Sequence, residues 1–136
     1  MVQSALPMSQ KDYELSIEER PDYLHLIFRA ETNRLDMVIS YGNEVAEAAR
    51  RTGLRNILFE NHAPILYERN AYKVGAAALR NSIPYKVRIA VLDKFSNNKD
   101  YFVDATDAAR SVGMTAHYFH SIKEAEEWFA SESAER

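Results

Sequence analysis

The feature that most constrains the fold is a short, continuous apolar run that occurs twice, each time after a segment with helical periodicity. The two runs are Ile57-Leu58-Phe59 and the apolar part of Val87 to Leu92. A run of this length is typical of a strand buried on both faces of a parallel sheet. Parallel neighbours need a crossover connection, usually a helix, so the pattern predicts βαβ units.

The first half of the chain predicts a hairpin followed by a helix. Strands are expected at Tyr13 to Ile17 and Tyr23 to Phe28, joined by turn residues at positions 20–22. The first strand is expected to be an antiparallel edge. A helix then runs from an N-cap at Asn33 to a left-handed terminator at Gly53. Its apolar face is predicted to contain Leu35, Val38, Ile39, Gly42, Val45, Ala46 and Ala49.

The second half repeats this order. Helices are predicted over 72–83 and 100–112, strands over 87–92 and 115–119, and a last helix opens at the capping box from Ser121 to Glu124. The element order is therefore ββαβαβαβα, which predicts an α/β fold with a mostly parallel mixed sheet covered by helices. We expect one domain over 12–130, a flexible lead over 1–11 and a frayed tail over 131–136.

Composition excludes several classes of function. The 136 residues include no cysteine, which excludes disulfide scaffolds, cysteine-ligated zinc and thiol nucleophiles. The formal net charge of −3 does not suggest nucleic-acid binding. No signal peptide and no apolar stretch of about 18 residues is present, so we expect a cytoplasmic protein without a transmembrane segment. No motif predicts a cofactor or a metal site.

Three stretches resemble a known family. They are the opening hairpin, the helix-glycine-strand step from Ala48 to Glu60, and a closing half made of 87–92 with Ala109 to Phe129. In this order they resemble the STAS domain of anti-sigma-factor antagonists, and more closely the small bacterial SpoIIAA-like proteins. The resemblance implies a STAS/SpoIIAA-like fold and a regulatory, protein-binding function.

One region departs from the family pattern. In the antagonists, a phosphorylatable serine or threonine lies at the start of the helix after the third strand. The corresponding region here, Glu60 to Asn70, contains neither residue type. The resemblance therefore implies a module that lacks the phosphorylation switch of the antagonists.

Polar side chains follow the strand that ends at Phe59. Glu60, Asn61 and His62 lie where open α/β sheets bind ligands, and Lys94 is expected at the end of the neighbouring strand. We predict ligand or partner binding there. A carboxylate beside an imidazole could also act in general acid–base catalysis, and the alternative is an ordinary turn with a solvated histidine.

A basic segment comes next. Residues 69–99 contain seven basic side chains and one acidic side chain, and Arg69 and Lys73 share one face of the predicted helix with Arg80. This face, with Tyr67 before it, is predicted to meet an anionic partner, a lipid headgroup or, less readily, nucleic acid, or else is simply solvated. The many tyrosines and Trp128 favour a homodimer, since these residue types are enriched in interfaces.

The sequence thus predicts a non-catalytic cytoplasmic module that binds a partner protein. The predicted site comprises Glu60, Asn61, His62, Tyr67, Arg69, Lys73 and Lys94. The alternative function is binding of a small molecule, either a lipid or another anionic ligand. Catalysis by Glu60 and His62 is a third hypothesis.

Overall fold

A computed structural model describes residues 13–31, 35–64, 77, 80, 81, 87–94 and 99–133. The predicted lead lies outside the described residues, as does almost all of the predicted helix over 72–83, of which Ala77, Arg80 and Asn81 are helical. The frayed tail was predicted from position 131, but the last helix continues to Ser133.

Five strands form a single mixed sheet in the described part of the chain. The strands are β1 (Tyr13–Glu19), β2 (Leu24–Ala30), β3 (Asn56–His62), β4 (Arg88–Asp93) and β5 (Thr115–Tyr118). Their spatial order follows the sequence, β1-β2-β3-β4-β5. The β1 strand is an antiparallel edge, with Leu15 opposite Phe28, and the other neighbours are parallel. The predicted α/β class and edge hairpin are therefore confirmed.

Three helices complete the described elements: α1 (Leu35–Thr52), α2 (Lys99–Ser111) and α3 (Ile122–Ser133). Helix α1 ends as predicted at Gly53, which has a φ of 76° and donates its N–H to the Ala49 carbonyl at 2.8 Å. The positive φ explains the glycine, because residues with a Cβ rarely adopt it. None of the described helices is long and apolar enough to cross a bilayer.

The sheet has two differently covered faces. On the first face, alternate residues of the strands pack against α1 and α2. Its buried side chains are Leu24, Leu26, Phe28, Ile57, Phe59, Ile89 and Val91 from the strands, with Val45, Ala46 and Ala49 from α1 and Phe102 and Ala109 from α2. A right-handed crossover between adjacent parallel strands always places the connecting helix on the same face of the sheet. Helix α1 connects β2 to β3 and α2 connects β4 to β5, which explains why the two helices lie on one face.

On the second face, α3 packs against β3 and β4. Ala125 and Phe129 of α3 cover Leu58, Ala90 and Leu92, all nearly or fully buried. The predicted capping box forms in part: Ser121 Oγ accepts the Glu124 N–H at 3.2 Å, but Glu124 Oε1 accepts the N–H of His120, at 2.9 Å, instead of that of Ser121.

One predicted core residue is wrong. Ile39 was placed on the apolar face of α1, but it is 43% exposed. Met37 is buried instead, at 3% exposure. Both residues lie at margins of the apolar stripe, so helical spacing alone does not decide which one is buried. Contact with the sheet buries Met37 and leaves Ile39 exposed.

Candidate functional site

The residues after Phe59 continue β3 rather than beginning a loop. Asn61 pairs with Asp93 of β4 and His62 with Arg29 of β2. Because side chains alternate along a strand, Glu60 and His62 point to the second face and Asn61 to the first. The three neighbouring residues predicted as one site are therefore divided between the two faces of the sheet.

Glu60 lies between two histidines. Its Oε1 is 2.8 Å from Nε2 of His25, and its Oε2 is 2.7 Å from Nε2 of His62. The exposed fraction of the side chain is 6% for His25, 10% for Glu60 and 30% for His62. We call these three side chains the His–Glu–His network. His62 is its most exposed member.

The network defines the hydrogen positions on both imidazoles. An ionised carboxylate only accepts hydrogen bonds, so Nε2 of each histidine carries the hydrogen. The remaining nitrogen of His25, Nδ1, lies 3.5 Å from the Arg20 guanidinium, which only donates. Arg20 is itself paired with Glu18 at 2.7 Å. Glu18 Oε1 also lies 3.9 Å from this nitrogen of His25.

Two opposing effects act on the pKa of Glu60. Burial raises it, but the hydrogen bonds from His62 and His25 outweigh burial, so the pKa of this carboxyl lies below its ordinary value of 4.5. Glu60 is therefore a carboxylate at neutral pH, with both oxygens occupied by imidazole N–H groups.

Asn61 stabilises the end of the sheet on the first face. Its Nδ2 donates to the Ala63 carbonyl at 2.7 Å and to Asp93 Oδ1 at 3.0 Å. Its side chain is fully buried, and its Oδ1 has no hydrogen-bond partner in the described structure. Asn61 joins β3 to β4 and to the turn that follows β3, and it presents no surface to a partner.

The other predicted site residues have different outcomes. Lys94 is exposed and directly follows β4, and its N–H donates to the Asn61 carbonyl at 2.8 Å. Tyr67, Arg69 and Lys73 lie outside the described residues. The structure thus brings Lys94 next to β3 at the end where the parallel strands finish, which we call the carboxyl edge.

Sequence reasoning missed His25, the buried partner of Glu60. The available signal was a histidine inside a strongly apolar strand, at an alternate position between Tyr23 and Ile27. A buried imidazole needs a hydrogen-bond partner, but the sequence does not show that Glu60, 35 positions away, supplies it.

The described surroundings of the network contain neither a nucleophile in contact with His62 nor a metal-binding cluster. Within the residues that the structure covers, the only side chain that hydrogen-bonds to His62 is Glu60, so no described hydroxyl is placed as a nucleophile. No cluster of three or more metal-ligating side chains occurs in those ranges.

A concave region lies at the amino end of the sheet, opposite the carboxyl edge. This depression of about 720 Å³ is lined by Arg20, Asp22, Asn56, Glu126 and two aromatic residues, Tyr23 and Phe129, among others. The Tyr23 hydroxyl donates to Glu126 at 2.7 Å. Burial, together with this carboxylate, raises the pKa of Tyr23 to about 12.

In the part of the chain that the structure describes, the fold and the network define an α/β protein with one mixed sheet and a polar carboxyl edge. Compared with known protein families and with curated protein sequences, the chain matches no family model and no curated protein.

Proposed function

We propose that this chain is a non-catalytic regulatory module of the STAS/SpoIIAA-like type that binds a partner protein at the carboxyl edge of its sheet. The observation that carries the proposal is the His–Glu–His network, which fixes a half-exposed imidazole at this edge. A side chain held in one orientation loses little conformational entropy when a partner binds, so it is suited to recognition.

The network favours binding over catalysis. Both Glu60 oxygens accept hydrogen bonds from imidazole N–H groups, and these bonds lower the pKa of this carboxyl, so it is a weaker base toward a substrate proton. His62 has no described nucleophile in contact with it, and an isolated oriented imidazole lacks the second group that covalent catalysis requires. The acid–base hypothesis for Glu60 and His62 is therefore the weaker one.

The proposed mode of regulation differs from that of the antagonists the chain resembles. Because the region from Glu60 to Asn70 contains no serine or threonine, binding is not controlled by phosphorylation of those residue types there. We place the module in the bacterial cytoplasm on the basis of the resemblance.

Affinity capture with a matched control tests the proposal. The wild-type chain, the double variant His62→Ala/Lys94→Glu and the control Arg50→Glu are immobilised, and proteins bound from native lysate are quantified by mass spectrometry. Arg50 is an exposed residue in the last turn of α1, bonded to Glu47 at 3.2 Å. We expect one protein enriched by the wild type and the control but lost from the double variant. Equal capture by all three proteins would contradict the proposed edge.

The depression at the amino end supports a second candidate function, binding of a small molecule. Its two aromatic rings, Tyr23 and Phe129, lie 5.4 Å apart and give it an apolar floor. Native mass spectrometry of protein purified from its host tests this function. A bound species that disappears in the variant Phe129→Asp, measured while that variant is still folded by circular dichroism, would support it.

A further inference from the structure

Three basic side chains form a row across the carboxyl edge. Arg29 of β2 is in register with His62 of β3. Asn61 is in register with Asp93, and the N–H of Lys94, the residue after β4, donates to the Asn61 carbonyl at 2.8 Å. Alternation places Arg29 and His62 on the second face, and Lys94 lies directly beyond the end of β4. We call Arg29, His62 and Lys94 the basic row.

The charges of the basic row are not neutralised by the neighbouring carboxylates. Neither Arg29 nor Lys94, both exposed, makes an ion pair within the described ranges. Glu60 faces inward, with both oxygens bonded to histidines. Asp93 lies on the other face, where Asn61 holds it at 3.0 Å.

Two carboxylates remain near the Arg29 end of the row. Glu14 of the edge strand β1 is in register with Arg29, and Glu31 follows β2 two residues after Arg29; both are exposed, and neither forms an ion pair with Arg29. Two cations and an imidazole in line are therefore opposed by two solvated glutamates, both at the Arg29 end.

We propose that the basic row binds an oxyanion, a phosphate or carboxylate group of the molecule that docks at this edge. This inference rests on the proposed function, because it names the chemistry that the carboxyl edge recognises. Adjacent strands lie about 4.8 Å apart, so the two outer backbones are about 10 Å apart and long basic side chains can converge on one group between them. Arginine offers a planar donor pair to such a group, and lysine offers a compact charge.

His62 takes part in this binding through its second ring nitrogen. Its Nε2–H is committed to Glu60, so its Nδ1 donates to an anion only when the imidazole is protonated. The charged groups around the ring are Glu60 on its own strand, Arg29 with Glu31 and Glu14 on the β2 side, and Lys94 on the β4 side.

The experiment uses inorganic sulfate and two-dimensional ¹H–¹⁵N NMR at constant pH and constant ionic strength. The wild type should show saturable shifts at positions 29, 62 and 94. The double variant Arg29→Gln/Lys94→Gln should bind sulfate at least about five-fold more weakly, while the distant control Arg50→Gln should match the wild type. His62→Gln should keep part of the affinity, because Arg29 and Lys94 remain.

Three results would overturn the inference: shifts that do not saturate, shifts centred away from the row, or equal affinity in the wild type and the double variant.

Co-sedimentation with phosphatidic acid vesicles, compared with phosphatidylcholine vesicles, separates the sources of the anion. Binding that the double variant loses identifies a lipid headgroup, whereas sulfate binding without vesicle binding identifies a soluble group.

The two proposals fail in different ways. A captured partner whose affinity is unchanged in Arg29→Gln/Lys94→Gln overturns the oxyanion site and leaves the partner-binding edge intact. Saturable sulfate binding at the row, with no partner captured in the lysate experiment, supports the oxyanion site and counts against the partner-binding edge.

Discussion

Replacing Glu60 by glutamine tests the His–Glu–His network directly. The carboxylate accepts N–H groups from His25 at 2.8 Å and from His62 at 2.7 Å. Glutamine has nearly the same shape but only one acceptor oxygen, so one imidazole N–H would face an amide N–H₂. A hydrogen bond to a charged group stabilises by about 1.5–3 kcal/mol, and a buried donor left without a partner costs about 1–3 kcal/mol. We expect Glu60→Gln to lower the free energy of unfolding by about 2–4 kcal/mol at pH 7.

Urea titration at pH 7 measures this loss, and Glu47→Gln is the matched control. Glu47 is 69% exposed in its side chain and pairs with Arg50 at 3.2 Å. Exposed pairs of this kind contribute about 0–1 kcal/mol, so the control should unfold close to the wild type. If Glu60→Gln does not fold, His62→Asn removes only the exposed arm of the network and gives the value of one bond.

The pH dependence of the free energy of unfolding provides a second, independent test of the network. Because the folded-state pKa of Glu60 is lowered, its stabilising contribution is fully present above the ordinary value of 4.5 and is lost as pH falls through the folded-state pKa. The difference between the wild type and Glu60→Gln should therefore narrow below that range. A loss under about 0.5 kcal/mol at pH 7, or a difference that persists unchanged at low pH, would refute the network as a source of stability.

Three further results are expected. Leu58→Ala and Phe129→Ala should each cost about 2–5 kcal/mol in denaturant titration, because both side chains are buried between the sheet and α3; a loss below about 1 kcal/mol would contradict that packing. Gly53→Ala should cost about 1 kcal/mol through its positive φ alone, since a Cβ there meets no neighbouring atom, and Gly53→Asn should cost less; equal melting temperatures would argue against the left-handed terminator. In an ultraviolet pH titration one tyrosine should ionise near pH 12, and Tyr23→Phe should remove that late step; a spectrum unchanged by the substitution would place the hydroxyl away from Glu126.

The element order could be predicted from the sequence because each element satisfies a local rule. The Gly53 terminator, the Ser121–Glu124 capping box and the apolar run at positions 57–59 depend on residues within a few positions of each other. Such signals are visible without the fold. The predicted boundaries differ most at β3, which continues through Glu60, Asn61 and His62, because polar residues in a strand look like a loop when their distant partners are unknown.

The candidate site could be predicted only in part. The βαβ pattern predicted that Glu60 and His62 lie at the end of a central strand. Because the two residues are close in sequence, a hydrogen bond between them could also be expected. The contribution of His25 and the alignment of Arg29 with Lys94 depend on strand register, which is set by pairing between distant segments. The STAS/SpoIIAA-like identity remains a proposal, as do the roles of Tyr67, Arg69 and Lys73.

The position of α3 affects how the chain behaves during its own synthesis. Neighbours in the sheet are also neighbours along the chain, so β1 to β4 can pair in the order in which the ribosome releases them. The helix that covers Leu58, Ala90 and Leu92 emerges last among the described elements. A nascent chain stalled before Ile122 therefore displays an apolar sheet face, of the kind that chaperones bind and that drives aggregation. This face is covered only after α3 has left the ribosome, so the newly made protein no longer needs chaperone protection of this face from that time.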